Sequence, residues 1–273
     1  MYTTEFWIKS EEVQSIAFQE YWNNELIEKS KEWYIVDGNF NVMEQYLVKS
    51  GLLGSLAESK KYINDILHTD ISGVCVDVAA GNMWAVKHLL EFGKISKVYA
   101  VEYSKHRLLK LGPLVLEHYN INPDNVILAY GSFYDIKLPD NSVDVVFASQ
   151  SFHHADDPMM FLHEMKRILK DTGIIIMIGE HKINSFIAPK SDADLGDHYY
   201  TLHNYAKMFK NAGFSWHIIR CKSNKEFTSF VLVNKNENFF LAMRHALAYV
   251  EWISRSTLHT FKAVAKKIIK FLK

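Results

Sequence analysis

The chain has 273 residues, of which 48% are hydrophobic and 23% are charged. This composition excludes a wholly disordered chain, and the length suits one large α/β domain with additions. The 31 basic and 31 acidic side chains cancel, so the chain has no overall attraction for nucleic acid, and we expect no nucleic-acid partner.

The two cysteines and the apolar runs indicate the compartment. Cys75 and Cys221 lie in apolar runs without metal-type spacing, as buried thiols of a reduced compartment do. Residues 1–14 carry three glutamates and no apolar core, which is unlike a secretory signal. No stretch reaches the roughly 18 uncharged apolar residues of a membrane span. We therefore expect a cytoplasmic protein.

Three zones follow one another along the chain. Residues 1–70 have a helical pattern and many aromatic side chains, which either cap a pocket or form a helical core. Residues 71–236 alternate strand-like apolar runs with amphipathic stretches, the pattern of βαβ units and a mostly parallel sheet. Residues 237–273 again have a helical pattern. We expect a helical N-terminal cap, an α/β domain and a C-terminal helical extension.

Seven strands and four helices are predicted in the middle zone. The predicted strands are 74–78, 98–102, 126–129, 143–149, 174–178, 214–220 and 227–233. The predicted helices are 84–90, 105–119, 158–169 and 202–211. The apolar run 174–178 is typical of a central strand that is covered on both faces. The last two strands are typical of an antiparallel pair at the edge of the sheet.

Ligands of an open parallel sheet lie beyond the carboxyl ends of its strands. Small residues, Ala79 to Gly81, follow the first predicted strand and allow a ligand to approach the backbone. Glu102 ends the second strand, where an acidic side chain can bind ribose hydroxyls. Ser132 and Phe133 follow the third strand, and Ser149 ends the fourth.

Three consecutive stretches carry a family resemblance. They are LPDNSVDVV at 138–146, FHHADDP at 152–158 and EMKRILKDTG at 164–173. In order and spacing, residues 74–181 resemble the class I S-adenosylmethionine-dependent methyltransferases, particularly their small-molecule subgroup. The resemblance implies a Rossmann-like methyltransferase fold, with a mostly parallel seven-stranded sheet between helices on both faces.

The same resemblance implies S-adenosylmethionine as the cofactor and assigns roles to seven residues. The methionine part of the cofactor would bind to Asp77, Ala79 and Gly81, and its ribose would bind to Glu102. The adenine would lie against Ser132 and Phe133, and Ser149 would border the sulfonium. Two residues depart from the family pattern. Met83 stands where a glycine is usual, so we expect it to avoid positive φ. Ser132 stands where an aspartate often accepts from the adenine amino group.

A dinucleotide-dependent oxidoreductase is the competing interpretation, because Glu102 suits both cofactors. It is disfavoured because no G-x-G-x-x-G follows the first strand. A sulfonium cofactor carries no pyrophosphate and does not require that loop.

Three histidines are candidates for the base that takes a proton from the acceptor. His198 is preferred, because it lies in the loop after the fifth strand with Asp197 beside it. His154 and His181 are the rivals. His153-His154 is more simply a helix start that borders the pocket, whereas Glu180-His181 either touches the acceptor or caps a loop. Asp192, Asp194 and Asp197 could together bind a divalent cation, but their spacing matches no calcium loop. We expect no metal site.

The C-terminal zone places Phe261, Val264 and Ile268 at helical spacing with lysines between them. Such a basic amphipathic helix either packs on its own domain or a second subunit, or contacts a membrane surface peripherally.

The sequence thus predicts methyl transfer to a small molecule, with the hydroxyl of a saccharide or related metabolite as the first choice of acceptor. A lipid or isoprenoid methyltransferase at the membrane surface is one alternative. A catalytically inactive binding module, suggested by Met83 and Ser132, is the other.

Overall fold

The structure, a computed structural model, describes residues 1–8, 24, 29–31, 33–35, 38–69, 71–181, 196–219 and 227–234. The predicted C-terminal helix, Cys221, Asp192 and Asp194 lie outside the described residues. Within the described parts, no helix is long and apolar enough to cross a membrane.

One sheet of eight strands organises the part of the chain that the structure describes. The strands are β1 (Thr3–Phe6), β2 (Ser72–Val78), β3 (Lys94–Glu102), β4 (Val126–Tyr130), β5 (Val143–Ser149), β6 (Leu169–His181), β7 (Ser215–Ile219) and β8 (Phe227–Val233). Their order across the sheet is β1-β4-β3-β2-β5-β6-β8-β7. All neighbouring pairs from β1 to β6 are parallel, and β8 pairs antiparallel with both β6 and β7. The predicted mostly parallel sheet with an antiparallel edge pair is confirmed.

Helices cover both faces of this sheet, as predicted. The helices are α1 (Asn41–Lys49), α2 (Leu52–Tyr62), α3 (Ala85–Leu90), α4 (Gly112–His118), α5 (Pro158–Ile168) and α6 (Leu202–Asn211). Apolar side chains of α1 to α4 join one hydrophobic cluster and those of α5 and α6 the other. Successive strand residues point to opposite faces, so Cys75 belongs to the first cluster and Val76 to the second.

The first strand corrects the prediction that residues 1–70 are helical. Thr3–Phe6 pairs in parallel with β4 and adds an eighth strand at the edge of the sheet. Beyond it, the backbone N–H groups of Trp7 and Ile8 both donate to the carbonyl of Tyr130, at 2.9 and 3.2 Å. The Cε3 atom of Trp7 lies 3.0 Å from where a Cβ on Gly131 would stand. Pairing with β4 therefore decides the conformation of this short segment, as tertiary context commonly does.

The predicted helix over 105–119 is present as an unbroken helical run over residues 105–118, which contains a π-helical turn. A π-helical turn, Arg107–Leu111, precedes α4, which begins at Gly112 with Pro113 in its first turn. Proline has no N–H to donate backwards, and it is tolerated where a helix begins. The π-helical turn and α4 therefore form one helical run, with Pro113 next to the point where the hydrogen-bond pattern changes.

Candidate active site

A cavity of about 610 Å³ lies at the carboxyl ends of β2 to β5. This is where an open parallel sheet binds ligands, and the volume is within the usual range of small-molecule sites. Of the predicted site residues, seven line the cavity: Ala79, Gly81, Glu102, Ser132, Phe133, Ser149 and His154. Asp77, His181 and His198 do not line it.

The turn after β2 lines the cavity and contains three left-handed residues. Ala79, Gly81 and Met83 have φ values of +54°, +58° and +66°. No atom lies within 4 Å of where a Cβ on Gly81 would stand, so its backbone faces open space. The expectation that Met83 avoids positive φ is wrong. Its side chain is fully buried, and burial of a methionine outweighs the roughly 1–2 kcal/mol cost of a left-handed residue.

Glu102 fastens this turn to the end of β3. Its Oε2 accepts a 2.7 Å hydrogen bond from the backbone N–H of Gly81. Its Oε1 accepts from the backbone N–H groups of Tyr103 and Ser104, at 2.9 and 2.7 Å. Three N–H donors fix the carboxylate at the cavity wall, so its orientation is set before a ligand binds.

Asp77 lies directly behind the turn and is 2% exposed. Among the described residues its Oδ2 has no hydrogen-bond partner, and the same is true of the hydroxyls of Ser149 and Ser151. Burial, and next the charge of Glu102, raise the pKa of the Asp77 carboxyl well above its ordinary value. Unpaired buried polar atoms are costly, so a set of them beside a cavity indicates a polar ligand.

Ser132 and Phe133 stand at the opposite wall, after β4. The hydroxyl of Ser132 accepts from the backbone N–H of Tyr134 at 3.2 Å. The ring of Phe133 packs edge-to-face against Tyr134 and Phe161, with centroids 4.7 and 5.2 Å apart. These contacts fix the aromatic side chain that the resemblance assigns to the adenine.

Aromatic and apolar residues of the N-terminal zone, residues 1–70, form one wall of the cavity, called here the upper wall. The residues are Trp33, Met43, Tyr46 and Leu47, with Lys31 at the margin. The amide Nδ2 of Asn82 donates to the carbonyl of Trp33 at 3.0 Å, and the hydroxyl of Tyr46 donates to Gln150 at 3.2 Å. These residues of the aromatic N-terminal zone line the cavity, and Met43 and Leu47 also belong to the hydrophobic core.

A buried carboxylate holds His153 at the β5 end of the cavity. Glu180, which is fully buried, places its Oε2 3.1 Å from Nδ1 of His153 and accepts from the hydroxyl of Tyr205 at 3.1 Å. Burial would lower the pKa of His153, but the charge and hydrogen bond of Glu180 hold it above its ordinary value. Burial would raise the pKa of Glu180, but the charge of His153 and its hydrogen bond hold it below.

Asp197 joins two more histidines to this group. Its Oδ1 lies 3.1 Å from Nδ1 of His154, and its Oδ2 lies 3.5 Å from Nε2 of His181. Burial would raise the pKa of Asp197, but the hydrogen bond and charge of His154 keep it below its ordinary value. Burial, and then the charge of His153, lower the pKa of His181. Sequence analysis noted each of these residues separately and missed that they meet.

The structure corrects the environment predicted for His198. Its Nε2 lies 3.1 Å from Oδ1 of the exposed Asp156, and its backbone N–H donates to the carbonyl of His153. Asp197, its neighbour in sequence, pairs with His154 and His181 instead, because successive residues of an extended segment point in opposite directions. The predicted support of His198 by Asp197 is therefore absent.

Residues 76–177 match the family model described as "Methyltransferase domain". A demethylmenaquinone methyltransferase of Geobacillus stearothermophilus is 30% identical over 104 residues, which are 38% of this chain and 43% of that protein. The chain spans less than half the length of the curated relatives that it matches.

Two solved structures show the same fold at low identity. A SAM-dependent methyltransferase from Aquifex aeolicus has a TM-score of 0.51 and 21% identity, over 69% of this chain and 95% of that one. A geranyl diphosphate C-methyltransferase from Streptomyces coelicolor has a TM-score of 0.53 and 14% identity, over 64% and 74%.

Proposed function

We propose that this chain, a class I methyltransferase by its family model and its fold, transfers a methyl group from S-adenosylmethionine to a hydroxyl of a small, largely apolar acceptor. One observation carries the proposal. A single cavity brings together a turn with its backbone exposed, the fixed carboxylate of Glu102 and the His154–Asp197 pair, next to the unpaired buried oxygen of Asp77.

The residues of the cavity suit such a cofactor. Asp77 has an unpaired carboxylate oxygen to receive the ammonium of the methionine part, which would satisfy a buried acceptor. Glu102 would bind the ribose hydroxyls while it keeps the hydrogen bond from the N–H of Gly81. Ser132 and Phe133 would hold the adenine, and Ser149 would border the sulfonium. Parallel strands set these contacts in the order β4, β3, β2, β5, so the reacting end lies near the histidines.

When bound, the cofactor would supply an electrophilic methyl group, which an acceptor oxygen could take up while the electron pair of the C–S bond stays on sulfur. The chain's own task is to align the acceptor and to receive its hydroxyl proton. His154 is the proton acceptor that the geometry favours among the three predicted histidines, since it lines the cavity and His181 and His198 do not. Asp197, 3.1 Å from Nδ1 of His154, orients the ring.

The upper wall supports an apolar acceptor. Trp33, Met43, Tyr46 and Leu47 present rings and aliphatic groups, which bind isoprenoid or aromatic surface better than a saccharide. The names of two similar proteins, a demethylmenaquinone methyltransferase and a geranyl diphosphate C-methyltransferase, point to acceptors of the same kind. We therefore place a lipid-like or isoprenoid hydroxy compound ahead of a saccharide.

Calorimetry followed by an acceptor screen tests the proposal. The full chain should bind S-adenosylhomocysteine, and it should bind NAD far more weakly. With S-adenosylmethionine and a panel of isoprenoid alcohols, hydroxyquinones and sugars, mass spectrometry should detect a methylated product among the first two classes. Tighter binding of NAD would contradict the cofactor assignment. Methylation confined to the sugars would contradict the acceptor class.

A further inference from the structure

Three side chains at the acceptor end of the cavity have the chemistry of a metal site. His153, His154 and Asp197 each offer one nitrogen or oxygen ligand atom, and these atoms lie within 4.8 Å of one another. We propose that His153, His154 and Asp197 bind a divalent transition-metal ion, with Glu180 as the outer partner of His153.

The distances suit an ion between these groups. In a tetrahedral site with bonds of about 2.0–2.2 Å, neighbouring ligand atoms are roughly 3.3–3.6 Å apart. Nδ1 of His154 and Oδ1 of Asp197 are 3.1 Å apart, so a small outward movement admits the ion. The ligand atom of His153 lies within 4.8 Å of the other two, and rotation of its side chain would bring it to the ion.

Glu180 prepares His153 for this role. Nδ1 of His153 faces Oε2 of Glu180 at 3.1 Å, which leaves Nε2 as the ligand atom. Metal-bound imidazoles nearly always direct their second nitrogen to a carboxylate, carbonyl or water, which fixes the ring and increases its basicity. Glu180 is itself held by the backbone N–H of Phe152 and the hydroxyl of Tyr205. The outer partner is therefore rigid.

The ligand set identifies the class of ion. Two imidazoles and one carboxylate suit Zn²⁺, Co²⁺ and Fe²⁺, whereas Mg²⁺ and Ca²⁺ prefer all-oxygen sites. All three ligand residues line the cavity, so a fourth position on the ion would face the acceptor space. Three protein ligands with one open position are the arrangement of zinc sites that bind a further ligand.

A bound ion would regulate the proposed reaction. This consequence rests on the proposed function: the ion takes the nitrogen and carboxylate of the His154–Asp197 pair, so His154 can no longer receive the acceptor proton by that route. Metal binding and methyl transfer through His154 therefore exclude each other, and a chelator should restore turnover that Zn²⁺ has suppressed.

Metal binding is measured on the full chain without cofactor. After treatment with a chelator and its removal, titration with Zn²⁺ should show one site, and the same titration with Mg²⁺ should show at least 100-fold weaker binding. Co²⁺ should give the visible absorption bands of a four- or five-coordinate ion. Six-coordinate Co²⁺ spectra, or no saturable Zn²⁺ site, would overturn the proposal whatever the outcome of cofactor binding.

Single substitutions assign the ligands. Asp197→Asn and His154→Ala should each weaken Zn²⁺ binding by at least 100-fold, and Glu180→Gln by about 10–100-fold, the range for outer partners. His198→Ala is the matched control, since it removes a neighbouring imidazole that pairs with Asp156 and does not itself line the cavity, and it should leave Zn²⁺ affinity unchanged. S-adenosylhomocysteine binding reports the fold of each variant. Equal losses in His198→Ala and His154→Ala would overturn the assignment, and the Co²⁺ spectrum of the unsubstituted chain decides it if a variant does not fold.

Discussion

The backbone N–H of Gly81 donates a 2.7 Å hydrogen bond to Oε2 of Glu102, so the turn after β2 and the end of β3 form one rigid unit. Two further backbone donors hold the other oxygen. Because the carboxylate is fixed before a ligand arrives, binding costs little side-chain entropy.

Replacing Glu102 tests this unit directly. Glu102→Ala should weaken binding of S-adenosylhomocysteine by roughly 1.5–3 kcal/mol, the range for hydrogen bonds to a charged group. Isothermal calorimetry measures the change, and Glu102→Gln should lose less because it keeps an oxygen acceptor. Unchanged affinity in Glu102→Ala, with the fold intact, would remove the carboxylate from the ligand site.

Asp77→Asn should stabilise the protein without ligand and weaken its binding of the cationic cofactor. Burial and the charge of Glu102 raise the folded-state pKa of Asp77 well above its ordinary value. A carboxyl group whose pKa is higher in the folded than in the unfolded protein stabilises the fold most at pH values below its unfolded pKa of about 3.9. That stabilisation is lost as the pH rises through the folded pKa. Removing an unpaired buried carboxylate should therefore raise the free energy of unfolding by about 1–3 kcal/mol near neutral pH.

Urea unfolding of both proteins at several values between pH 4 and pH 8 measures this difference. The gain from Asp77→Asn should grow toward the alkaline end. A gain that is largest at pH 4 would mean that the carboxyl is ionised and paired in the folded protein.

Gly112→Ala should destabilise the protein although alanine favours a helix. A Cβ on Gly112 would stand 2.7 Å from Cγ of Met83 and 3.2 Å from the carbonyl oxygen of Arg107. Overpacking of this kind costs about 1–3 kcal/mol, more than the roughly 1 kcal/mol that alanine gains over glycine in a helix. Thermal or urea unfolding checks the sign. In a Met83→Ala background the cost should shrink, and equal costs in both backgrounds would refute the contact.

His154→Ala should lower the methylation rate by about 10²–10⁴-fold and leave S-adenosylhomocysteine binding unchanged, because removal of a general base affects the reaction alone. His198→Ala should retain the rate, since His198 pairs with Asp156 and does not itself line the cavity. Initial rates with the acceptor found by screening compare the two. Loss of rate in His198→Ala alone would return the role to the residue preferred from the sequence.

The sequence predicted the central strands well because most of their residues are apolar. The run 174–178 lies inside β6, between β5 and β8, as expected for a strand covered on both faces. Thr3–Phe6 escaped prediction because four residues carry little periodicity and their partner, β4, lies far along the chain. Pairing across such a distance is decided by the folded sheet.

The cavity was predictable where strand ends and the family resemblance fix positions. Glu102 and Gly81 were assigned from their places after strands, and both line the cavity. The histidine group was not, because His154 and Asp197 approach through the fold and not through the sequence. Adjacency suggested that Asp197 supports His198, whereas backbone direction turns the two side chains apart.

The edge strand has a practical consequence. Trp7 lies against Gly131, and Gly131 directly precedes Ser132 and Phe133. The fluorescence of the Trp7 indole should therefore report on the wall assigned to the adenine. Indole emission changes with its surroundings, and ligand entry at this wall should alter it. Trp7→Phe should remove that component of the signal and keep calorimetric affinity within about twofold, because the backbone N–H of residue 7 still donates to Tyr130. Intrinsic fluorescence would then follow occupancy of the site in real time, without an attached dye.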